Sequence, residues 1–134
     1  MLKIMTDFKL VGIDHIQIAM PAGAEDTARR FYCEVLGLVE ESKPDALSGQ
    51  GGLWLKGPGI ALHLGVETPF APARKAHPAL IVDDIDKAED ALADHISEAR
   101  STLPGMTRFF VCDPFGNRIE ILSYDESDGA KTAN

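Results

Sequence analysis

The feature that most constrains this chain is a duplicated order of elements. Between residues 10 and 66, and again between 75 and 123, an aliphatic strand is followed by a helix and then by short strands. In the first unit, residues 11–19 are rich in Ile and Val and read as a strand. Ala24, Ala28, Phe31, Tyr32, Val35 and Leu36 then recur at helical spacing and predict a helix over 24–36. Glu25 and Asp26 suit its positive N-terminal end, and Gly37 is a natural stop. Strands are expected at about 38–42, 51–55 and 59–66, the first two separated by the loop "PDALSGQGG". Residues 67–75, with Pro69 and Pro72, read as a linker. The second unit opens with a strand at 76–82 and a helix at 83–96, capped by Asp83 or Asp84. Strands at 108–112 and 118–122 flank the turn "DPFGN". A further strand between 96 and 107 is signalled only weakly, and residues 124–134 form a polar tail. Two units are too few for a stacked array, so the expectation is two modules closing around a shared cleft.

Four polar residues interrupt the aliphatic strands. They are His15 in "IDHIQIAM", His63 in "IALHLGVE", His77 in "KAHPALIV" and Glu120 in "NRIEIL". Successive strand residues point to opposite faces. Each strand therefore keeps its aliphatics on one face and sends one metal-competent group to the other. The positions also correspond: His15 and His77 lie in the first strands of the two units, and His63 and Glu120 in the last. A lone strand histidine is more often a satisfied side chain than a ligand. Four at equivalent places point instead to one site. Three neutral imidazoles and a carboxylate suit Zn, Ni, Co, Mn or Fe(II). On a divalent ion they leave a net charge near +1, which would stabilise an enolate or alkoxide. His95, near a helix C-terminus, needs no such role.

The bulk numbers narrow the partners. The chain has 134 residues, enough for one domain with a core, and 25% charged residues. Its formal charge of −8 disfavours nucleic acid and anionic membrane. No apolar run approaches a membrane span, and "MLKIMTDFKL" lacks a signal-peptide core, so a cytoplasmic location is expected. Cys33 and Cys112 are spaced like neither a metal knuckle nor a redox pair and read as buried free thiols.

The stretches "IDHIQIAM", "RRFYCEVLGL", "IALHLGVE", "AHPALIVDDID" and "FFVCDPFGNRIEIL" span residues 13–122. Together they resemble the vicinal oxygen chelate superfamily, which includes glyoxalase I, methylmalonyl-CoA epimerase, fosfomycin-resistance enzymes, extradiol dioxygenases and bleomycin-resistance proteins. The most specific piece is "DPFGNRIEI". The resemblance implies an α+β fold, with two βαβββ modules forming a curved mixed sheet around a metal-centred cleft. It matches His15, His77 and Glu120 to ligands shared by most metal-dependent members. His63 stands where glyoxalase I has a Glu that binds the metal and moves the substrate proton, so here it is a ligand or an acid/base. The implied function is a divalent-metal-dependent, glyoxalase-like lyase or isomerase of a small substrate chelated through vicinal oxygens. His63 and Glu120 are its candidate catalytic residues. An Fe(II) extradiol dioxygenase ranks second, because Phe110 occupies the place of that branch's active-site Tyr. A bleomycin-resistance-type binding protein without catalysis ranks third. The resemblance also favours a homodimer, with modules pairing within a chain or across two.

A second tier surrounds these residues. By alternation Arg108 shares the face of Phe110 and is a candidate anchor for a substrate carboxylate or phosphate. Trp54 is a candidate pocket wall. Gln17 shares the face of His15 and is a candidate substrate or ligand-orienting contact.

Overall fold

Alternating leucines lay down the first sheet. Leu53 and Leu55 on one strand and Leu62 and Leu64 on the next are each at most 2% exposed. In the computed structural model, which describes residues 5–125, this pattern recurs in the second sheet with Phe109, Val111, Ile119 and Ile121. All eight side chains belong to one continuous core, which also receives Phe31 and Tyr32 from the first helix and Leu92 from the end of the second.

The first module runs β1 (Ile16–Met20), α1 (Glu25–Arg29), β2 (Val39–Glu41), β3 (Leu53–Gly57) and β4 (Ile60–Val66). The second runs β5 (Ala79–Ile81), α2 (Ile85–Ala91), β6 (Ile96–Leu103), β7 (Met106–Cys112) and β8 (Arg118–Tyr124). The sheet orders are β1-β4-β3-β2 and β5-β8-β7-β6. In each sheet the first and last strands pair in parallel and the other neighbours antiparallel. The duplicated βαβββ order expected from the sequence is thus present as two four-stranded mixed sheets. No helix among the described residues is long and apolar enough to cross a membrane.

Several boundaries move for identifiable reasons. The first strand was expected over 11–19 but begins at Ile16; Val11 and Ile13 are 97% and 82% exposed and take no part in the core. The helix expected over 24–36 widens after Arg29 into a π-helical turn, Arg30–Val35, where the Leu36 N–H reaches back to the Phe31 carbonyl. That turn buries the consecutive Phe31 and Tyr32, and Gly37 ends it at φ +80°. The helix expected over 83–96 is shorter. Asp84 caps it by accepting from the Lys87 N–H, and after Ala91 the chain makes a 3₁₀ turn, Ala93–His95. The strand expected over 76–82 shrinks to Ala79–Ile81, leaving His77 and Pro78 on its approach. The weakly signalled strand is β6, a polar, exposed edge strand held to α2 by Arg100 ion pairs with Asp86 and Glu89. Its lack of apolar alternation is why the sequence marks it poorly. Cys33 and Cys112 are free thiols, half-buried rather than buried. Of the expected tail, residues 126–134 lie outside the described residues.

A buried polar knot joins the modules. The Tyr32 hydroxyl donates to Asp113 Oδ2 at 2.7 Å. Asn117 Nδ2 donates to the same oxygen at 2.9 Å and to the Ala19 carbonyl at 2.8 Å. Asp113 Oδ1 accepts from the Phe115 and Asn117 amides. The "DPFGN" turn thus fastens the second sheet to β1 and to the π-turn of the first module.

Candidate metal centre

The strand pairings decide which side chains meet. In the first sheet, parallel β1–β4 pairing sets Gln17 beside His63, and antiparallel β3–β4 pairing sets Trp54 beside it on the other side. Alternation turns these residues away from Leu62 and Leu64, onto the face opposite the core. The His63 ring is wedged between two others. Its centroid lies 4.2 Å from that of Trp54, with planes 8° apart, and 4.1 Å from that of His15, with planes 16° apart. His63 is 7% exposed. Burial first, and the neighbouring His15 second, push its pKa below the ordinary histidine value, which favours the neutral ring.

His15 sits just before β1, half-exposed. Its Nδ1 lies 2.8 Å from Asp14 Oδ2. In the neutral tautomer that donates from Nδ1 to this carboxylate, Nε2 offers a lone pair. Together His15, His63, Trp54, Gln17 and Lys43 line a pocket of about 450 Å³. The Gln17 side chain lies across Gly65, where an added Cβ would stand 2.5 Å from its Nε2.

In the second sheet, Glu98, Phe110 and Glu120 form one cross-strand row, made possible by irregular register in β6. Glu120 is 6% exposed and faces away from Ile119 and Ile121. His77 Nε2 lies 3.0 Å from Glu120 Oε1. Two tautomers explain the surroundings of this ring. Protonated at Nε2, it donates to Glu120, and Nδ1 accepts from Arg118 Nη1 at 3.1 Å. Protonated at Nδ1, it donates to the Lys75 carbonyl at 2.9 Å and presents a lone pair beside the carboxylate. The second form is the one that fits a cation shared with Glu120.

The structure therefore brings the four expected donors together as two pairs, His15 with His63 and His77 with Glu120. The convergence of all four within one chain is not found: among the described residues there is no metal-competent group of three or more His, Cys, Asp or Glu. The physical reason is the packing of the modules. Their apolar faces share the core and the Tyr32–Asp113–Asn117 knot fixes them there, so the two donor faces do not close on each other. Between the free edges of β1 and β5 runs a groove of about 1060 Å³, lined in part by Ile13, Ile16, Ile60 and Ile81.

Of the second-tier residues, Trp54 and Gln17 lie on the first donor face and Phe110 and Arg108 on the second. Phe110 meets His77 edge-on, with centroids 5.2 Å apart. Sequence reasoning missed Arg118, whose guanidinium carbon stands 3.9 Å from the Phe110 ring centroid and whose Nη2 pairs with Glu98 at 2.8 Å. Alternation along β8 puts Arg118 on the face of Glu120 and was a usable signal. The Glu98 pairing was not, because it depends on the irregular β6 register.

Comparisons with known proteins agree with this architecture. The sequence profile of the Glyoxalase/Bleomycin resistance protein/Dioxygenase superfamily matches residues 12–121. A glyoxalase family protein from Bacillus anthracis is 42% identical, with a TM-score of 0.82, covering 90% of this chain and 100% of that one. A glyoxalase/dioxygenase from Nostoc punctiforme is 21% identical, with a TM-score of 0.73 and coverage of 93% and 99%. TnmS3, an antibiotic binding protein from Streptomyces sp. CB03234, is 22% identical, with a TM-score of 0.64 and coverage of 87% and 100%. The last two likenesses show the fold alone. No curated protein matches.

Proposed function

The chain belongs to the glyoxalase/bleomycin resistance protein/dioxygenase superfamily, and from that premise we propose a divalent-metal-dependent, glyoxalase-like lyase or isomerase. Its substrate is a small molecule carrying two adjacent oxygens. The observation that carries the reading is the pair of half-complete donor sets, one on each sheet, at corresponding strands of the duplicated modules. Among the described residues each set stops at two donors. A twofold homodimer that sets the first sheet of one copy against the second sheet of the other completes two equal sites. The free edges of β1 and β5 and the exposed Ile16 and Ile81 support such an arrangement.

In this reading His15 of one copy, with His77 and Glu120 of the other, would hold Zn, Ni, Co, Mn or Fe(II). Such an ion would supply Lewis acidity to the two substrate oxygens, acidifying the neighbouring C–H. His63 takes the proton. The nearly parallel stack of His15 and His63 sets the two rings face to face. His15, half-exposed and held at Nδ1 by Asp14, would meet an ion through Nε2; His63, wedged against Trp54, stays as a neutral base. Gln17 orients the substrate and Trp54 walls the pocket. Phe110 has no hydroxyl to engage a bound oxygen species, which weighs against an extradiol dioxygenase.

The test is protein purified without chelator, analysed for metal and then assayed on hemithioacetals and, with Fe(II), on catechols. Metal with hemithioacetal turnover supports the reading. Oxygen uptake on catechols overturns it in favour of a dioxygenase. No metal and no turnover, but tight drug binding, overturns it in favour of sequestration; TnmS3, which shares the fold, is an antibiotic binding protein.

A further inference from the structure

The second donor face carries two arginines in unequal situations. Arg118 is fully engaged. Its guanidinium lies over Phe110, its Nη2 pairs with Glu98, and its Nη1 approaches His77 and the Lys75 carbonyl. Arg108 is not. Its one ion pair among the described residues runs from Nη1 to Glu120 Oε2 at 3.4 Å, well beyond the 2.7–2.9 Å of a charge-assisted bond. Its Nε is buried with no hydrogen-bond partner. The guanidinium carbon stands 5.3 Å from the Phe110 centroid, on the face shared with Glu120. A third of the side chain remains open to solvent.

This arrangement leaves the Arg108 charge only loosely paired, in a chain of formal charge −8. The shortfall grows when Glu120 is used elsewhere. A carboxylate held by a divalent ion has little left to give Arg108, and the ion with Glu120 keeps one positive charge of its own. Two positive charges would then share the sheet face that carries Phe110. A planar guanidinium with free Nη donors matches the paired oxygens of a carboxylate or phosphate.

Resting on the metal-centred reading above, we propose that Arg108 binds an oxoanion on the substrate, remote from its chelating oxygens. The substrate class is therefore an anionic small molecule, a carboxylate or phosphate bearing a vicinal oxygen pair. Arg118 and Glu98 act as the frame that holds Phe110 beside that subsite.

The test compares ligands with the same chelating α-hydroxycarboxylate, with and without a further oxoanion: malate against lactate, and 3-phosphoglycerate against glycerate. Calorimetric titration of metal-loaded wild type is expected to show about tenfold or greater preference for the member carrying the extra charge. The pair with the larger preference tells carboxylate from phosphate. In Arg108→Gln the preference collapses to about twofold or less, while metal content and lactate affinity hold; Arg108→Lys keeps part of it. A preference unchanged in Arg108→Gln, or absent in wild type, overturns the assignment. Metal content judges the underlying reading separately. If the chain holds no metal, inorganic phosphate is titrated instead. Binding lost in Arg108→Gln then still supports the subsite, and binding that is absent or unchanged overturns it.

Discussion

The imidazole of His63 lies face to face with the indole of Trp54, ring centroids 4.2 Å apart and planes 8° from parallel. Trp54 is the only tryptophan in the chain. The protein therefore carries its own optical reporter against the residue assigned to proton transfer.

That contact gives a pH prediction. Burial and His15 hold the His63 pKa below its ordinary value. The charged ring is disfavoured in the fold, so the stability His63 contributes is complete above about pH 6.5 and is lost as pH falls through the lower, folded value. Trp54 fluorescence is expected to change with a midpoint below pH 6.5, and His63→Gln to abolish the transition. A midpoint at or above 6.5 contradicts the assigned environment.

The role of His63 separates kinetically. If it moves the proton, His63→Ala lowers turnover by roughly 10²–10⁴-fold while metal affinity changes only a few-fold. Metal affinity and turnover falling together would make it a ligand instead. Parallel metal titrations and initial-rate assays decide the matter.

The buried knot between modules sets a stability prediction. Tyr32→Phe deletes the 2.7 Å bond to Asp113 and leaves that carboxylate oxygen with Asn117. The expected loss is about 1.5–3 kcal/mol, read from urea unfolding. Metal content is expected to hold, because Tyr32 touches neither donor pair.

Two glycines separate strain from collision. Gly52, at φ +80°, would place a Cβ 2.1 Å from the Leu64 backbone oxygen, whereas Gly59, at φ +70°, would meet nothing within 4 Å. Gly59→Ala is expected to cost about 1–2 kcal/mol, the left-handed backbone penalty. Gly52→Ala must also move the β4 backbone, and its loss is expected to be clearly larger in the same unfolding assay.

Much of this architecture was legible in the sequence because it rests on local periodicity. Leu62 and Leu64 against His63, and Ile119 and Ile121 against Glu120, announce both the strands and their faces. The π-turn was hidden, since Phe31 and Tyr32 satisfy a helical pattern as well as the wider turn that buries both. β6 was nearly silent because its Glu98 and Arg100 are held by partners distant in sequence. The ring stack on His63 depends on strand pairing, which the sequence order of Trp54 and His15 does not encode. Most consequentially, correspondence between duplicated strands matches His15 with His77 and His63 with Glu120 by position, yet how the modules pack decides whether the four can meet. That packing is fixed by the Tyr32–Asp113–Asn117 knot, whose partners are far apart along the chain.

The central claim, that two half-sites complete each other between two copies, is tested most directly by mixing two variants. His15→Ala and His77→Ala each break every site when alone and are expected to bind no metal at the centre. Unfolded and refolded together at equal concentration, they form heterodimers in which one site is doubly broken and the other intact. Metal content is then expected to recover to about a quarter of the wild-type value, with turnover following. A refolded mixture as empty as its two components, or either variant retaining full metal by itself, would contradict the account.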